Sequence, residues 1–400
     1  RRSATFEEGP VDLKAVAEEH YSAVDPDLRE LSNWMYENPE TGHQEFATSA
    51  RLVAFLRDQG FEVEYPAWGL ETAFDAVAGS AGPEVVICAE LDALPEVGHA
   101  CGHNIIATAA AGAGLALLPL VNDLGIRVRI LGTPAEETFG GKVDLINAGA
   151  FESADAAMMI HPTPSDLVDP SVLAVKHLDI EFHGKESHAA FAPQISHNAL
   201  DAAVQGYVNV STLRQKLYST DRVHGTITYG GGAPNVIPAF TSMAWYVRAA
   251  TAERLEELYG QVVACFEGAA IATGCTFEIK QSGNTYTDMI SDPVMVDLFA
   301  ANSTALGRPM PRMADLDEDA GGSTDMGNVS HVVPSIHPML GINSGSAVNH
   351  QKDFAAHTVT PDGEKAIRDG ALAMAWTIID LATDNRWNEL GSAARDAAAS

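Results

Sequence analysis

Asp92, His99, Cys101 and His103 fall within one stretch, Glu90-Leu-Asp-Ala-Leu-Pro-Glu-Val-Gly-His-Ala-Cys-Gly-His-Asn104, directly after a β-prone run ending at Ala89. A thiolate and an imidazole two residues apart suit a borderline-soft divalent ion, and a nearby carboxylate can orient a ligating imidazole from behind. Alone, a Cys-x-His pair is equally a buried cysteine beside a loop histidine. A second cluster, Gly132-Thr-Pro-Ala-Glu-Glu-Thr-Phe-Gly-Gly-Lys142, follows another β-prone run. Adjacent glutamates at a strand end are expected to point in opposite directions, so that one of Glu136 and Glu137 could bind a metal while the other addresses a metal-activated water. The plain alternative is a solvated acidic turn opening a helix. His161, in Met158-Met-Ile-His-Pro, and His350, in Asn349-His-Gln-Lys-Asp-Phe354, are ordinary taken singly. Four such clusters at successive strand ends of one sheet define a candidate metal site.

The elements that must position these residues follow from apolar spacing. Leu31, Trp34 and Met35, then Leu52, Phe55 and Leu56, recur at helical intervals between Asp27 and Gly60, with Pro39 and Gly42 between them, which predicts two helices. Short β-prone runs at Thr72 to Ala78, Glu84 to Ala89, Arg127 to Leu131 and Ala156 to Ile160 alternate with helical stretches, the rhythm of an α/β domain with a mainly parallel sheet. The uncharged stretch Ile105 to Asn122 contains Gly112, Gly114 and Pro119 and is short for a membrane span, so it reads as a buried core helix. After Pro170 the order becomes strand (Val172 to His183), helix (Asn198 to Leu217), strand (Val223 to Tyr229), strand (Ala239 to Arg248), helix (Thr251 to Gly274) and strand (Cys275 to Gln281). That is the βαββαβ order of a ferredoxin-like unit, inserted over residues 172–286 between two parts of a catalytic domain, 1–171 and 287–400. Inserted units of this kind often close over the site of their host.

The chain has 400 residues, 46% hydrophobic and 20% charged, the composition of a globular enzyme of two or three domains. Its formal net charge of −30 disfavours nucleic-acid and anionic-membrane surfaces. Four cysteines without framework spacing exclude a disulfide-dense scaffold and point to the reducing cytoplasm; Arg1 to His20 show no apolar run resembling a signal peptide, and the Ala-rich tail after Gly391 reads as frayed. Gly140-Gly-Lys-Val143 lacks the Ser or Thr and the upstream glycine of a phosphate-binding loop. A Gly-x-Ser-x-Gly elbow and a His-Glu-x-x-His motif are absent, which removes support for serine hydrolysis and for that class of zinc protease.

Taken together, His99-Ala-Cys101-Gly-His103, Ala135-Glu136-Glu137, His161, Gly184-Lys-Glu-Ser-His188, Pro234-Asn235-Val-Ile-Pro238, Arg248 and His350 resemble the zinc-dependent aminoacylase and amidohydrolase metallopeptidases, which include hippurate, auxin-conjugate and aminobenzoyl-glutamate hydrolases. The resemblance spans Pro39-Glu40 to Phe354, and the strings from Asp92 to Asn104 and from Ser323 to Asn328 are most similar to the branch of aminobenzoyl-glutamate hydrolase subunits and β-alanyl-lysine type dipeptidases. It implies that Cys101, His103, Glu137, His161 and His350 hold two divalent ions, zinc or manganese or cobalt, with Glu136 as general base. His188 would stabilise the oxyanion from the lid, Asn235 and Arg248 would grip the substrate, and Asp92 and Asp325 would support the ligands from behind.

The implied substrate is an N-acyl amino acid or dipeptide, cleaved at its amide bond by a chain that forms a homodimer through the lid domain. Three departures from the family pattern occur: Asn104 stands where Asp is common, Tyr36 or Asn38 replaces the usual His before Pro39-Glu40, and Ser323-Thr-Asp325 replaces Ser-Glu-Asp. Competing readings are an amidase acting on a non-peptide amide or carbamate, an inactive metal-containing peptide-binding or amino-acid-binding protein, and a purely structural assembly subunit. Presence of both a base and a full ligand set favours the enzyme, because a binder needs no glutamate beside an activated water.

Overall fold

The structure, a computed structural model, describes residues 11–316 and 321–391. The tail after Gly391 lies outside the described residues. A six-stranded sheet runs in the order Glu62–Glu64, Phe74–Ala78, Arg127–Thr133, Glu84–Glu90, Ala156–Met158, Ser335–Ile336. The last four strands are mutually parallel, and Phe74–Ala78 pairs antiparallel with Arg127–Thr133, so the sheet is mainly parallel as its βα rhythm predicts. The central strand Glu84–Glu90 is buried along its whole length, as a strand covered on both faces must be.

The uncharged stretch forms helix His103–Leu117, all of it buried. It packs between helices Leu13–Glu37 and Pro361–Thr383 on one face of the sheet. Close approach depends on Gly112, where a Cβ would stand 2.9 Å from the Tyr21 ring and 3.1 Å from Ala371. Truncating a neighbour such as Leu28, fully buried in this core, would cost about 2–5 kcal/mol. The first helix starts earlier than its periodicity suggests, at Leu13, with Asp12 accepting from the N–H groups of Lys14 and Ala15, and it carries Pro26 inside.

Residues beyond Val172 build a second sheet, antiparallel throughout, in the order Thr276–Gln281, Ala174–His183, Phe240–Ala249, Arg222–Tyr229. Helices Ala199–Leu213 and Ala252–Thr273 cover one face, and Leu178, Ile180, Phe182, Trp245 and Phe266 form a core separate from that of the first sheet. Alternation along Phe240–Ala249 buries Trp245 and Val247 and turns Tyr246 and Arg248 to the open face. The observed βαββαβ order matches the sequence pattern.

One strand differs from expectation. The run through Ile160 ends at Met158, and a new short strand, His161–Thr163, pairs in parallel with Met339–Gly341. The register carries on through the gap, with the His161 N–H donating to the Pro338 carbonyl at 2.9 Å, but Pro338 has no N–H to return a bond there, so the pairing divides into two short pieces. His161 therefore opens a strand instead of closing one.

Candidate active site

Cys101 and His103 are set by the turn between strand Glu84–Glu90 and helix His103–Leu117. Gly102 closes that turn with φ 82°, and a Cβ there would meet Pro162 Cγ at 2.3 Å, so the loop lies directly on the segment carrying His161. Cys101 Sγ is 3.5 Å from His161 Nε2 and 3.6 Å from His350 Nε2, while Glu137 Oε2 is 3.4 Å from His350 Nε2. A thiolate and an imidazole on one tetrahedral ion are separated by about 3.5 Å, and an imidazole and a carboxylate oxygen by about 3.4 Å, given the usual bond lengths. Donor atoms of Cys101, His103 and His161, and of Cys101, Glu137 and His350, lie within 4.8 Å of one another in each triplet. Among the described residues, His103 Nε2 and Glu137 Oε1 are buried without a hydrogen-bond partner. Burial, then Glu137, pushes the Cys101 thiol well above its usual range, so a thiolate here needs a cation beside it. The donor set thus fits divalent metal ions.

The ligand rings are oriented from behind. His103 Nδ1 faces Asp92 Oδ1 at 3.1 Å, and the other oxygen of Asp92 accepts the Glu137 N–H at 3.0 Å. His161 Nδ1 lies 2.9 Å from the carbonyl of Pro162, leaving Nε2 toward Cys101. Burial pushes the His161 pKa down to about 4, so its ring is a neutral donor at ordinary pH. For His103, burial opposes the protonated form, but Glu90 and Asp92 outweigh it and hold its pKa well above 6.5. The departure at Asn104 is structural: its amide donates to Ser32 Oγ at 3.0 Å and Thr358 Oγ1 at 3.1 Å.

Glu136 and Glu137 are not the alternating strand residues expected from sequence. The strand stops at Thr133, and Ala135, with φ 59°, turns the chain so that both glutamates sit in a turn. Their divergence comes from this turn, not from strand alternation. Glu137 joins the donor cluster, and Glu136 Oε2 lies 4.0 Å from His103 Nε2. Burial, then Glu90 and Glu137, raises the Glu136 carboxyl well above 4.5, which makes it a stronger proton acceptor than an exposed glutamate. The Tyr286 hydroxyl donates to the Glu136 carbonyl.

Several neighbours escaped the sequence reading. Glu90 Oε2 lies 3.2 Å from His103 Nε2, and its other oxygen meets the buried Lys142 Nζ at 2.5 Å. Lys142 also holds Asp325 at 2.7 Å, so Asp325 stands behind the ligands through Lys142 and Glu90. The i, i+2 spacing of Glu90 and Asp92 was a usable signal, since both face His103. His337, 2% exposed, lines the cleft with neither ring nitrogen partnered among the described residues, and its repeat of the Ile-His-Pro string at 160–162 was legible. Tyr286 had no signal.

A cleft of about 450 Å³ opens over these groups, with Cys101, Glu137, His161 and His350 at one end and Arg248 and Ser323 on its wall. Arg248 therefore reaches the site within its own chain. His188 and Asn235 do not line the cleft: both are exposed, next to the small strand pair Ser187–His188 and Val236–Ile237, where Asn235 O accepts the Ala189 N–H at 2.9 Å.

A buried glutamate of raised pKa beside a thiolate, imidazole and carboxylate donor set is the equipment of a metal-dependent hydrolase. Residues 86–375 match Peptidase family M20/M25/M40, and the chain belongs to that family; it is a hydrolase of peptide or amide bonds. It is 37% identical over 393 residues to the Xaa-Arg dipeptidase of Mus musculus, covering 92% of this chain and 89% of that protein. It is 30% identical over 272 residues to one of the p-aminobenzoyl-glutamate hydrolase subunits of Escherichia coli, covering 63% of this chain and 56% of that one. A dinuclear metal binding peptidase of the M20 family from Bacillus subtilis shares the fold, with a TM-score of 0.68 at 23% identity over 90% of this chain and 99% of that one.

Proposed function

We propose that this chain is a dinuclear dipeptidase releasing a C-terminal amino acid, with a preference for dipeptides ending in a basic residue. The observation that carries the reading is Cys101, shared by two donor triplets, with Glu136 beside them and Arg248 on the wall of the same cleft. The likeness to a mammalian Xaa-Arg dipeptidase supports the basic residue, and a net charge of −30 favours encounter with cationic substrates.

Cys101, His103, Glu137, His161 and His350 would hold the ions, zinc, manganese or cobalt. When bound, such ions lower the pKa of a water and polarise the scissile carbonyl. Glu136 takes the proton of the attacking water and returns it to the leaving amine, a role its raised pKa suits. Asp92 keeps the His103 ring in register by holding Nδ1. Arg248 grips the carboxylate of the leaving residue through its guanidinium fork. His188 supplies a donor to the oxyanion and Asn235 a substrate contact when the 172–286 unit, acting as lid and dimerisation domain of a cytoplasmic homodimer, brings them to a cleft.

The test is amine release from a panel of Xaa-Arg, Xaa-Lys and Xaa-Leu dipeptides and N-acetyl amino acids, with and without chelator. Chelator-sensitive release, fastest from the basic dipeptides, is expected. Equal rates on N-acetyl amino acids and basic dipeptides would remove the proposed specificity, and release from none of them would remove the function.

A further inference from the structure

Ala135 holds φ 59°, a left-handed conformation that is unfavourable for an L-residue with a Cβ. It stands between the end of strand Arg127–Thr133 and Glu136, so its dihedral sets the direction in which both glutamates leave the sheet. Unfavourable backbone angles persist only where their surroundings over-determine them. Here the Ala135 N–H donates to Oε1 of the fully buried Glu45 at 2.8 Å, and the Thr72 hydroxyl donates to Oε2 at 2.8 Å. Glu45 is anchored in turn at the head of helix Phe46–Asp58, where its carbonyl accepts the Ser49 N–H at 2.9 Å. On the other side, the Ala135 carbonyl accepts from Gly140 N at 2.9 Å and Phe139 N at 3.2 Å. Burying a carboxylate with no cation against it is costly. Burial, then the charge of Asp92, raises the Glu45 pKa to about 7. An apolar side chain would fill the same space without that cost, but it could not accept the Ala135 N–H.

We propose that Glu45 is a positioning residue for the catalytic pair: its carboxyl group fixes Ala135 in the left-handed conformation from which Glu137 reaches the metal donors and Glu136 faces the reacting water. This rests on the reading of Glu137 as ligand and Glu136 as base.

The full chain is titrated with zinc against a chromophoric chelator, and kcat and KM are measured in parallel. Removing the anchor by Glu45→Leu releases the backbone cost and should weaken zinc binding and lower kcat by about tenfold or more, with KM little changed. Glu45→Gln keeps an acceptor for the Ala135 N–H and should stay within about threefold of wild type, as half a kcal/mol or so allows. Glycine takes positive φ without strain, so Ala135→Gly in the Glu45→Leu background should restore most of both losses. A purely structural role for Glu45 predicts a lower melting temperature without rescue by glycine, and that result overturns the proposal. Should Glu45→Leu fail to fold, Glu45→Gln still decides, because a tenfold loss of zinc affinity in that variant contradicts an acceptor role. Glu137→Gln is the control. If it keeps its zinc the ligand assignment fails; if it loses zinc while Glu45→Leu does not, only the positioning inference fails.

Discussion

Arg248 Nη1 donates to Ser323 Oγ at 2.7 Å, joining the open face of the second sheet to the wall of the cleft in the first unit. The contact holds the guanidinium on the wall of the cleft that Cys101, Glu137, His161 and His350 also line, without help from another chain. Burial, the main influence, lowers the Arg248 pKa, which marks a cation without a carboxylate against it. Ser323 is a neutral partner for it.

Arg248→Ala should lower kcat/KM on a carboxylate substrate by about 10- to 100-fold, the worth of charge-assisted hydrogen bonds. The matching carboxamide should lose far less. Steady-state kinetics on both substrates check this, and an equal loss rules out carboxylate recognition by this residue.

Chelation should abolish hydrolysis, and zinc, manganese or cobalt should restore it. Cys101 takes part in two donor triplets, so Cys101→Ser should strip metal from the site. Metal content by elemental analysis after gel filtration reads this out; Cys88→Ser and Cys275→Ser, at buried core positions, should keep full occupancy.

Glu136→Gln should retain metal and substrate affinity while turnover falls by about 10² to 10⁴, the usual worth of a general base. Glu137→Gln should instead lose metal. Reversed phenotypes would exchange the roles of the pair.

His188 is exposed and does not line the cleft. His188→Ala should nevertheless lower turnover by about 10² to 10³ with metal content unchanged, the loss typical of one oxyanion donor. If a second copy supplies it, mixing inactive His188→Ala chains with inactive Glu136→Gln chains should restore about a quarter of the wild-type sites, since half of the dimers are mixed and each has one complete site. Persistent inactivity of the mixture assigns His188 to its own chain.

Glu45 titrates near pH 7 when folded and near 4.5 when unfolded, because of burial and then Asp92. Between those values the folded chain binds the extra proton, so the contribution of Glu45 to stability falls as pH rises through this window. Glu45→Gln carries no such dependence. Its melting temperature relative to wild type should rise between pH 5 and pH 8, by an amount equivalent to about 2.5 kcal/mol; a difference constant across that range would contradict the raised pKa.

Strands, helices and the βαββαβ order were legible because hydrophobic periodicity reports burial, which here is nearly complete in Glu84–Glu90 and His103–Leu117. The candidate donors were legible as a set and not singly: Cys101, His103, Glu137, His161 and His350 lie in separate motifs after successive predicted strands, and the fold brings them together. What stayed hidden was the support behind them. Lys142 was read only against phosphate-binding loops, whereas it is a buried cation joining Glu90 to Asp325. Tyr286 and Glu45 act on backbone atoms of residues 150 and 90 positions away, and no local pattern encodes such long-range pairing. Likewise, the left-handed Ala135 could not be inferred, since nothing in alanine announces a positive φ.

The two crossings between the units lie side by side. Val175 and Tyr286 exchange both backbone hydrogen bonds, at 2.9 and 3.0 Å, so the outgoing and returning chains form a short ribbon. Tyr286, whose hydroxyl holds the Glu136 carbonyl, belongs to this ribbon, so the peptide unit of Glu136 is tied by a hydrogen bond to the place where the chain returns from the second sheet to the first.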